Sequence, residues 1–260
     1  MPFTFSHPIA VIPFARFGLP ISALVIGSMT PDFPYFLQLS TGNQFGHSVR
    51  GLLLFCVPAG LVALWLWHRV LVVALRTLLP FSWQRKLPRA SNAFPFWPAK
   101  QLLLIVGALS IGALTHVVWD SLTHANGFVV RHWAPLREPL FTTSHGTIYV
   151  FKFLQHGSSL LGAIALVWLC RREIRSSPTG SNSRETNLHL VFPMLFFTII
   201  CAMFGTFAKT ADGVSQSQIR DFVLLFIVIF FIELTAWSVW WHWKHRTCSS
   251  DAMFRAFTGS

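Results

Sequence analysis

The chain has 260 residues, of which 53% are apolar and only 11% are charged. Soluble proteins carry about 25% charged residues, so this composition excludes an ordinary soluble domain and indicates an integral membrane protein. The formal net charge of +11 would suit a nucleic-acid-binding protein, but the distribution of the basic residues, described below, argues against that class.

The first apolar stretch, residues 18–39, is interrupted by Pro31, Asp32 and Pro34. We therefore expect a broken, re-entrant or interfacial helical segment here and not a clean span. Five later stretches approach the roughly 20 apolar residues that cross a bilayer. They cover residues 51–69, 101–120, 152–170, 189–208 and 222–243. The predicted fold is all-α, a polytopic membrane protein whose transmembrane helices follow the broken N-terminal segment.

The chain is expected to divide at a polar, turn-rich stretch. We predict a membrane-embedded core over residues 1–170, a polar cytoplasmic linker over 171–188, a pair of transmembrane helices over 189–245 and a cytoplasmic tail over 246–260. The segments that follow the first, third and fifth spans hold 13 of the 20 lysines and arginines. If the spans alternate, these segments share one side, which the positive-inside rule identifies as the cytoplasm. The basic charge therefore reflects membrane topology, with the bilayer as partner and no nucleic-acid partner.

Ionisable residues gather on the opposite side of the predicted membrane. His47 and Ser48 precede the first span, and the stretch "THVVWDSLTHANG" ends the second. Ionisable groups in membrane segments are costly and are functional candidates by default. The candidates on this side are His47, His116, Asp120, His124, His145 and His156, to which Asp32 and His7 are added from the N-terminal segment.

The spacing of His116, Asp120 and His124 limits how they can bind metal. Residues four apart are neighbours on one helix face, so His116 and Asp120 can share an ion. In a continuous helix His124 lies about 12 Å from His116, too far for two bonds near 2.1 Å. Either Asp120 bridges two ions, or the helix ends near Ser121; a simple hydrogen-bonded His–Asp pair is the ordinary alternative. Ser48, Thr115 and Thr123 are predicted to orient the ligands.

Several motifs resemble known families. "MPFTFSHPIAVIP", "GHSVRGLLLFCVPAGL", "THVVWDSLTHANG" and "LQHGSSLLG" resemble the bacterial membrane family known as domain of unknown function 4184. The order PD, GHS and HxxxD is similar to that of bacterial inner-membrane metal-dependent hydrolases, which implies Asp32, His47, His116 and Asp120 as ligands. More distantly, the order of histidines and aspartates resembles the zinc-dependent phospholipase C and single-strand nuclease superfamily. That resemblance implies a bridging carboxylate, with His7, His124 and His156 as further ligands.

We therefore predict a metal-dependent hydrolase of the bacterial inner membrane that acts at its extracytoplasmic face. The expected cofactor is one or two divalent ions, zinc first among them, and the expected substrate is a phosphodiester or a lipid-derived ester. The alternative is a non-enzymatic membrane protein, either a small transporter or a structural partner. In that case the His/Asp cluster binds ions or protons, or stabilises helix packing.

Overall fold

The computed structural model describes residues 4–38, 45–84, 96–143, 146–176, 187–207 and 216–258. Most of the described chain is helical, with one antiparallel pair of strands, β1 (Pro139–Thr143) and β2 (Gly146–Tyr149). The helices are α1 (Pro8–Val11), α2 (Ile21–Gly27), α3 (Phe33–Gln38), α4 (Val49–Leu78), α5 (Phe81–Gln84), α6 (Ala99–Thr123), α7 (Phe128–His132), α8 (Val150–Ser176), α9 (Val191–Phe207) and α10 (Gln216–Thr258).

Five described stretches are long and apolar enough to cross a membrane. They are Val49–Leu78, Ala99–His132, Val150–Arg175, Leu188–Phe207 and Gln218–His245. Each corresponds to one predicted span, so the all-α polytopic fold and the multi-pass character are confirmed. The first stretch extends beyond the predicted residue 69 because apolar residues resume after Arg69.

The segment over residues 18–39 is broken, as the prolines predict. Helix α2 ends at Gly27, a 3₁₀ turn covers Thr30–Asp32, and α3 begins at Phe33. Neither short helix has the roughly 20 residues that a span requires. Proline is tolerated in the first turn of a helix, where its missing N–H has no intrahelical partner, so Pro31 and Pro34 can begin these turns. The break places Asp32 at a junction between helices.

Helix α2 packs closely against α6 through glycine residues. A Cβ atom on Gly112 would overlap the carbonyl of Leu24, and a Cβ atom on Gly27 would overlap the backbone of Leu109. Small residues allow helix backbones to approach in membrane proteins, where close packing replaces the hydrophobic effect as a driving force. This contact fixes α6 against the N-terminal segment.

The chain forms two compact units. The first comprises Met1–Leu64 and Pro95–Glu173 and contains every described candidate ligand; the second comprises Trp65–Phe94 and Ile174–Ser260. In the second unit, Thr198 of α9 donates a 2.7 Å hydrogen bond to Glu233 Oε2 of α10. This bond gives the carboxyl group in the last span a partner on a neighbouring helix.

The strand pair was not predicted. The sequence between the second and third predicted spans was not expected to contain strands, but Phe141, Thr142, Thr147 and Ile148 are aromatic or β-branched residues, which are enriched in strands. The strands are only five and four residues long, too short to stand out beside two long apolar helices.

Candidate metal centre

Asp32, His47, His116 and Asp120 come together in the first unit. One ligand atom from each lies within 4.8 Å of all the others. Asp32 comes from the turn before α3, His47 from a 3₁₀ turn before α4, and the other two from successive turns of α6. His47 is partly exposed, whereas the other three are buried. We call these four residues the His/Asp cluster. Three separate segments of the chain supply it.

The imidazole nitrogens of the cluster face the carboxylate oxygens. His116 Nε2 lies 3.5 Å from Asp32 Oδ1 and 3.3 Å from Asp120 Oδ2. His47 Nε2 lies 3.6 Å and 3.2 Å from the same two oxygens. In a tetrahedral zinc site with bonds near 2.1 Å, adjacent ligand atoms are about 3.4 Å apart. These four His–Asp distances are close to that value, and all four ligand atoms lie within 4.8 Å of one another, so the cluster can hold one divalent ion.

The orientation of His116 suits a metal ligand. Its Nδ1 lies 2.7 Å from the Ser28 carbonyl oxygen, which can only accept a hydrogen bond, so Nδ1 carries a proton. In the neutral ring, Nε2 then presents a lone pair to two carboxylates. Such an arrangement requires a cation, which is either a second proton on the ring or a metal ion. Metal-binding histidines commonly donate their other N–H to a backbone carbonyl in this way.

Asp32 uses its two oxygens differently. Oδ1 faces the two histidines, whereas Oδ2 accepts a hydrogen bond from the Thr4 hydroxyl. Burial alone would raise the pKa of Asp32, but hydrogen bonds from His116 and Thr4, together with the charge of His116, hold that pKa below its usual range. Asp32 is therefore ionised at neutral pH.

The two carboxylate oxygens of Asp120 face different histidines. Its Oδ2 belongs to the cluster, and its Oδ1 lies 3.7 Å from His7 Nε2 and 3.5 Å from His124 Nδ1. The ring of His7 stacks on that of His116 with a centroid separation of 3.8 Å. Burial lowers the pKa of His7 to about 4, so the ring is neutral at neutral pH. Among the described residues, neither His7 Nε2 nor Asp120 Oδ1 has a hydrogen-bond partner.

His124 lies just beyond the end of α6. The helix ends at Thr123 and His124 has an extended conformation, close to the predicted end near Ser121. Its Nδ1 lies 3.2 Å from the Asp120 carbonyl oxygen, and its Nε2 lies 3.1 Å from Gln155 Nε2. If the Gln155 amide donates to Nε2, Nδ1 carries the proton. In that tautomer Nδ1 has no lone pair to offer to a metal ion.

Other predicted ligands lie elsewhere. His156 is exposed on α8, and its neighbour Gln155 is buried and contacts the site. Successive residues of a helix are rotated by about 100°, so both cannot face inward. The structure therefore does not bring His156 into the cluster. His145 lies outside the described residues.

The residues predicted to orient the ligands mainly bond to nearby backbone groups. Ser48 caps α4 by accepting from the Gly51 amide at 2.9 Å. Thr115 donates to the Gly112 carbonyl at 2.7 Å, and Thr123 donates to that of Trp119 at 3.1 Å. Thr123 Oγ1 also lies 3.4 Å from His124 Nδ1.

Thr4 and Ser28 contact the candidate ligands directly, although they were not predicted from the sequence. Thr4 is 28 positions from Asp32, and Ser28 acts on His116 through its backbone carbonyl, 88 positions away. A threonine three residues before the candidate ligand His7 is the only local signal. The Ser28 contact uses an atom that every residue has, so no residue pattern could predict it.

The fold and the cluster define a class of protein: a multi-pass, all-α membrane protein with a buried His/Asp group that can hold a metal ion. The chain belongs to the family described as Domain of unknown function (DUF4184), whose sequence profile matches residues 1–239. The match includes the whole His/Asp cluster. No curated protein and no solved structure matches the chain.

Proposed function

We propose that the protein is a membrane-bound, metal-dependent hydrolase that acts on a phosphodiester or a lipid-derived ester. The observation that supports this most is the convergence of four ligand atoms within 4.8 Å of one another, which Asp32, His47, His116 and Asp120 supply. Two imidazoles and two carboxylates without a thiolate suit zinc, and also manganese or iron. Zinc is the proposed ion.

A second ion position is proposed beside the first. Asp120 Oδ1 and His7 Nε2 face each other at 3.7 Å, and both are buried without a hydrogen-bond partner among the described residues. Asp120 would then bridge two ions, one on each oxygen. His124 and His156 are weaker candidates, because His124 Nδ1 faces a backbone carbonyl and His156 is exposed.

The chemistry requires water and substrate to reach the ion. A bound divalent ion lowers the pKa of water and polarises a phosphoryl or acyl oxygen. In the hydrolysis, the water oxygen bonds to phosphorus or to the acyl carbon, the ester bond breaks, and one water proton passes to the leaving oxygen. The His47 side chain is 17% exposed, more than the others of the cluster, so water reaches the cluster most easily there. Catalytic zinc can accommodate a fifth ligand.

The proposed location is the extracytoplasmic face of the bacterial inner membrane. His47 precedes the first span, and Asp120 lies in the last turn of α6, the long helix of the second. If the spans alternate, both lie opposite the basic segments, which the positive-inside rule assigns to the cytoplasm together with the C-terminus.

Elemental analysis of detergent-purified protein tests the metal proposal. Wild type and a His116→Ala, Asp120→Ala double variant are incubated with zinc and then passed through a desalting column. We expect one or two ions per wild-type chain and a clear loss in the variant, with His189→Ala, an exposed histidine that is not a candidate ligand, as the control that keeps full metal. If wild type retains no more metal than the double variant, the proposal is wrong.

A second candidate is a non-enzymatic protein in which the cluster stabilises the fold. The supporting observation is that four protein side chains offer ligand atoms to one position, the number that structural zinc sites use. Stoichiometric zinc that raises the unfolding temperature, without turnover of bis(p-nitrophenyl) phosphate or p-nitrophenyl esters, would support this function. Turnover that disappears in the double variant would support the hydrolase.

A further inference from the structure

We propose that the segment between helices α6 and α8, residues 124–149, rests in the lipid headgroup layer and presents lipid to the His/Asp cluster. The segment has five large exposed side chains, Phe128, Trp133, Leu140, Phe141 and Tyr149, which together we call the interfacial surface. The proposal has two parts. The location of the surface is independent of enzymatic activity, whereas the lipid substrate rests on the proposed hydrolase function.

The interfacial surface is apolar and exposed. The exposed fractions are 66% for Phe128, 54% for Trp133, 49% for Leu140, 50% for Phe141 and 38% for Tyr149. In contrast, Val130 and Leu136 of the same segment are 0% and 4% exposed. Buried residues therefore anchor the segment to the first unit, while large apolar side chains face outward. Exposed apolar patches of this kind mark interaction sites.

The two short strands carry exposed apolar side chains that must be shielded from water. An isolated two-stranded hairpin is at best marginally stable in water, and here its Leu140 and Phe141 side chains are exposed. The hairpin cannot enter the hydrocarbon core, because unpaired backbone groups at open strand edges are not tolerated there. The headgroup layer satisfies both conditions, since it covers apolar side chains and still supplies water to the edges. Tryptophan and tyrosine are enriched in that layer.

The position of the hairpin in the chain agrees with a location in the headgroup layer. Strand β2 ends at Tyr149, and the third span begins at Val150. The Val150 amide donates to the Glu138 carbonyl at 3.1 Å, which ties the base of the hairpin to the start of that span. The hairpin is therefore held at a membrane boundary.

The charges of the segment suit lipid phosphates. Arg131, Arg137 and Lys152 are exposed, and Glu138 is the one acidic residue in the described part of residues 124–152. Basic residues next to a membrane surface are attracted to anionic lipids. Since Asp120 lies in the last turn of the helix that leads into this segment, lipid headgroups are the nearest source of phosphodiester and ester groups.

A fluorescence experiment tests the location. A Phe141→Cys variant, with the four native cysteines replaced, is labelled with an environment-sensitive fluorophore and reconstituted into phosphatidylcholine–phosphatidylglycerol vesicles. Lipids brominated near the headgroup should quench the label more strongly than lipids brominated near the chain ends, with unbrominated vesicles as the control. Equal absence of quenching by both lipids would place the hairpin in water and overturn the proposal, whatever the enzymatic activity.

A pair of charge substitutions tests the role in substrate presentation. Phe141→Asp should lower hydrolysis of vesicle phospholipid by about tenfold, because it places a charge in the apolar contact, and should leave hydrolysis of soluble bis(p-nitrophenyl) phosphate unchanged. Thr142→Asp, with the same added charge on an adjacent polar residue, is the matched control and should retain the vesicle activity. Equal effects of Phe141→Asp on both substrates would contradict the proposal. Absence of wild-type activity on both substrates would instead reject the proposed function, and the quenching result would still stand.

Discussion

The hydroxyl group of Thr4 is expected to set the metal affinity of the cluster. Thr4→Val keeps the shape of the side chain but removes the donor to Asp32 Oδ2. Asp32 is 3% exposed, so water cannot easily replace the lost hydrogen bond. A hydrogen bond to a charged group contributes about 1.5–3 kcal/mol, and loss of a partner that orients a metal ligand typically costs about 10–100-fold in affinity.

We therefore predict that Thr4→Val weakens zinc binding by about 10–100-fold, measured by competition with a chromophoric chelator in detergent. Thr115→Val is the matched control, because Thr115 donates only a 2.7 Å hydrogen bond to the Gly112 carbonyl of its own helix. This variant should bind zinc within about twofold of wild type. Unchanged affinity in Thr4→Val, or an equal loss in Thr115→Val, would refute the reasoning.

Three further outcomes are expected. Gly112→Ala should lower the free energy of unfolding by about 1–3 kcal/mol, because the added Cβ atom would overlap the Leu24 carbonyl. Gly107→Ala is the control and should leave that free energy unchanged, because Gly107 has open space around it; thermal unfolding in detergent compares the two variants. Zinc occupancy should fall as the pH is lowered, because a protonated imidazole has no lone pair for a metal ion; equilibrium dialysis at a series of pH values measures it, and a flat profile would argue against histidine ligands. Gln155→Leu should alter turnover more than His156→Ala, because of these two residues only Gln155 reaches His124. A larger effect of His156→Ala would contradict the rotation of α8 that turns Gln155 toward the site.

The sequence predicted the parts of the structure that depend on composition and spacing. Apolar runs are long and continuous, so they predict five spans, and the prolines beside Asp32 predict the break in the N-terminal segment. The pairing of His116 with Asp120 follows from helical periodicity alone. These predictions involve residues that are close in sequence or a property averaged over many residues.

The remaining details depend on contacts between distant segments. The rotation of α8, which turns Gln155 inward and His156 outward, is set by packing and not by its apolar composition. The Thr4 hydroxyl donates to Asp32 across 28 positions of the chain. The Ser28 carbonyl can accept from His116 because α2 packs against α6 through Gly27 and Gly112. Such an approach depends on the backbone path, which residue spacing does not determine.

The long sequence separation within the cluster has a consequence for biosynthesis. His47 and Asp120, which meet at 3.2 Å, are 73 positions apart. At about 5–20 residues per second, a ribosome needs roughly 4–15 s to make the intervening chain. During that interval Asp32 and His47 have neither α6 nor its histidine beside them. The N-terminal turns must therefore wait for insertion of the second span before they reach their final positions, so the cluster is a late product of translation and cannot guide the early steps of membrane insertion.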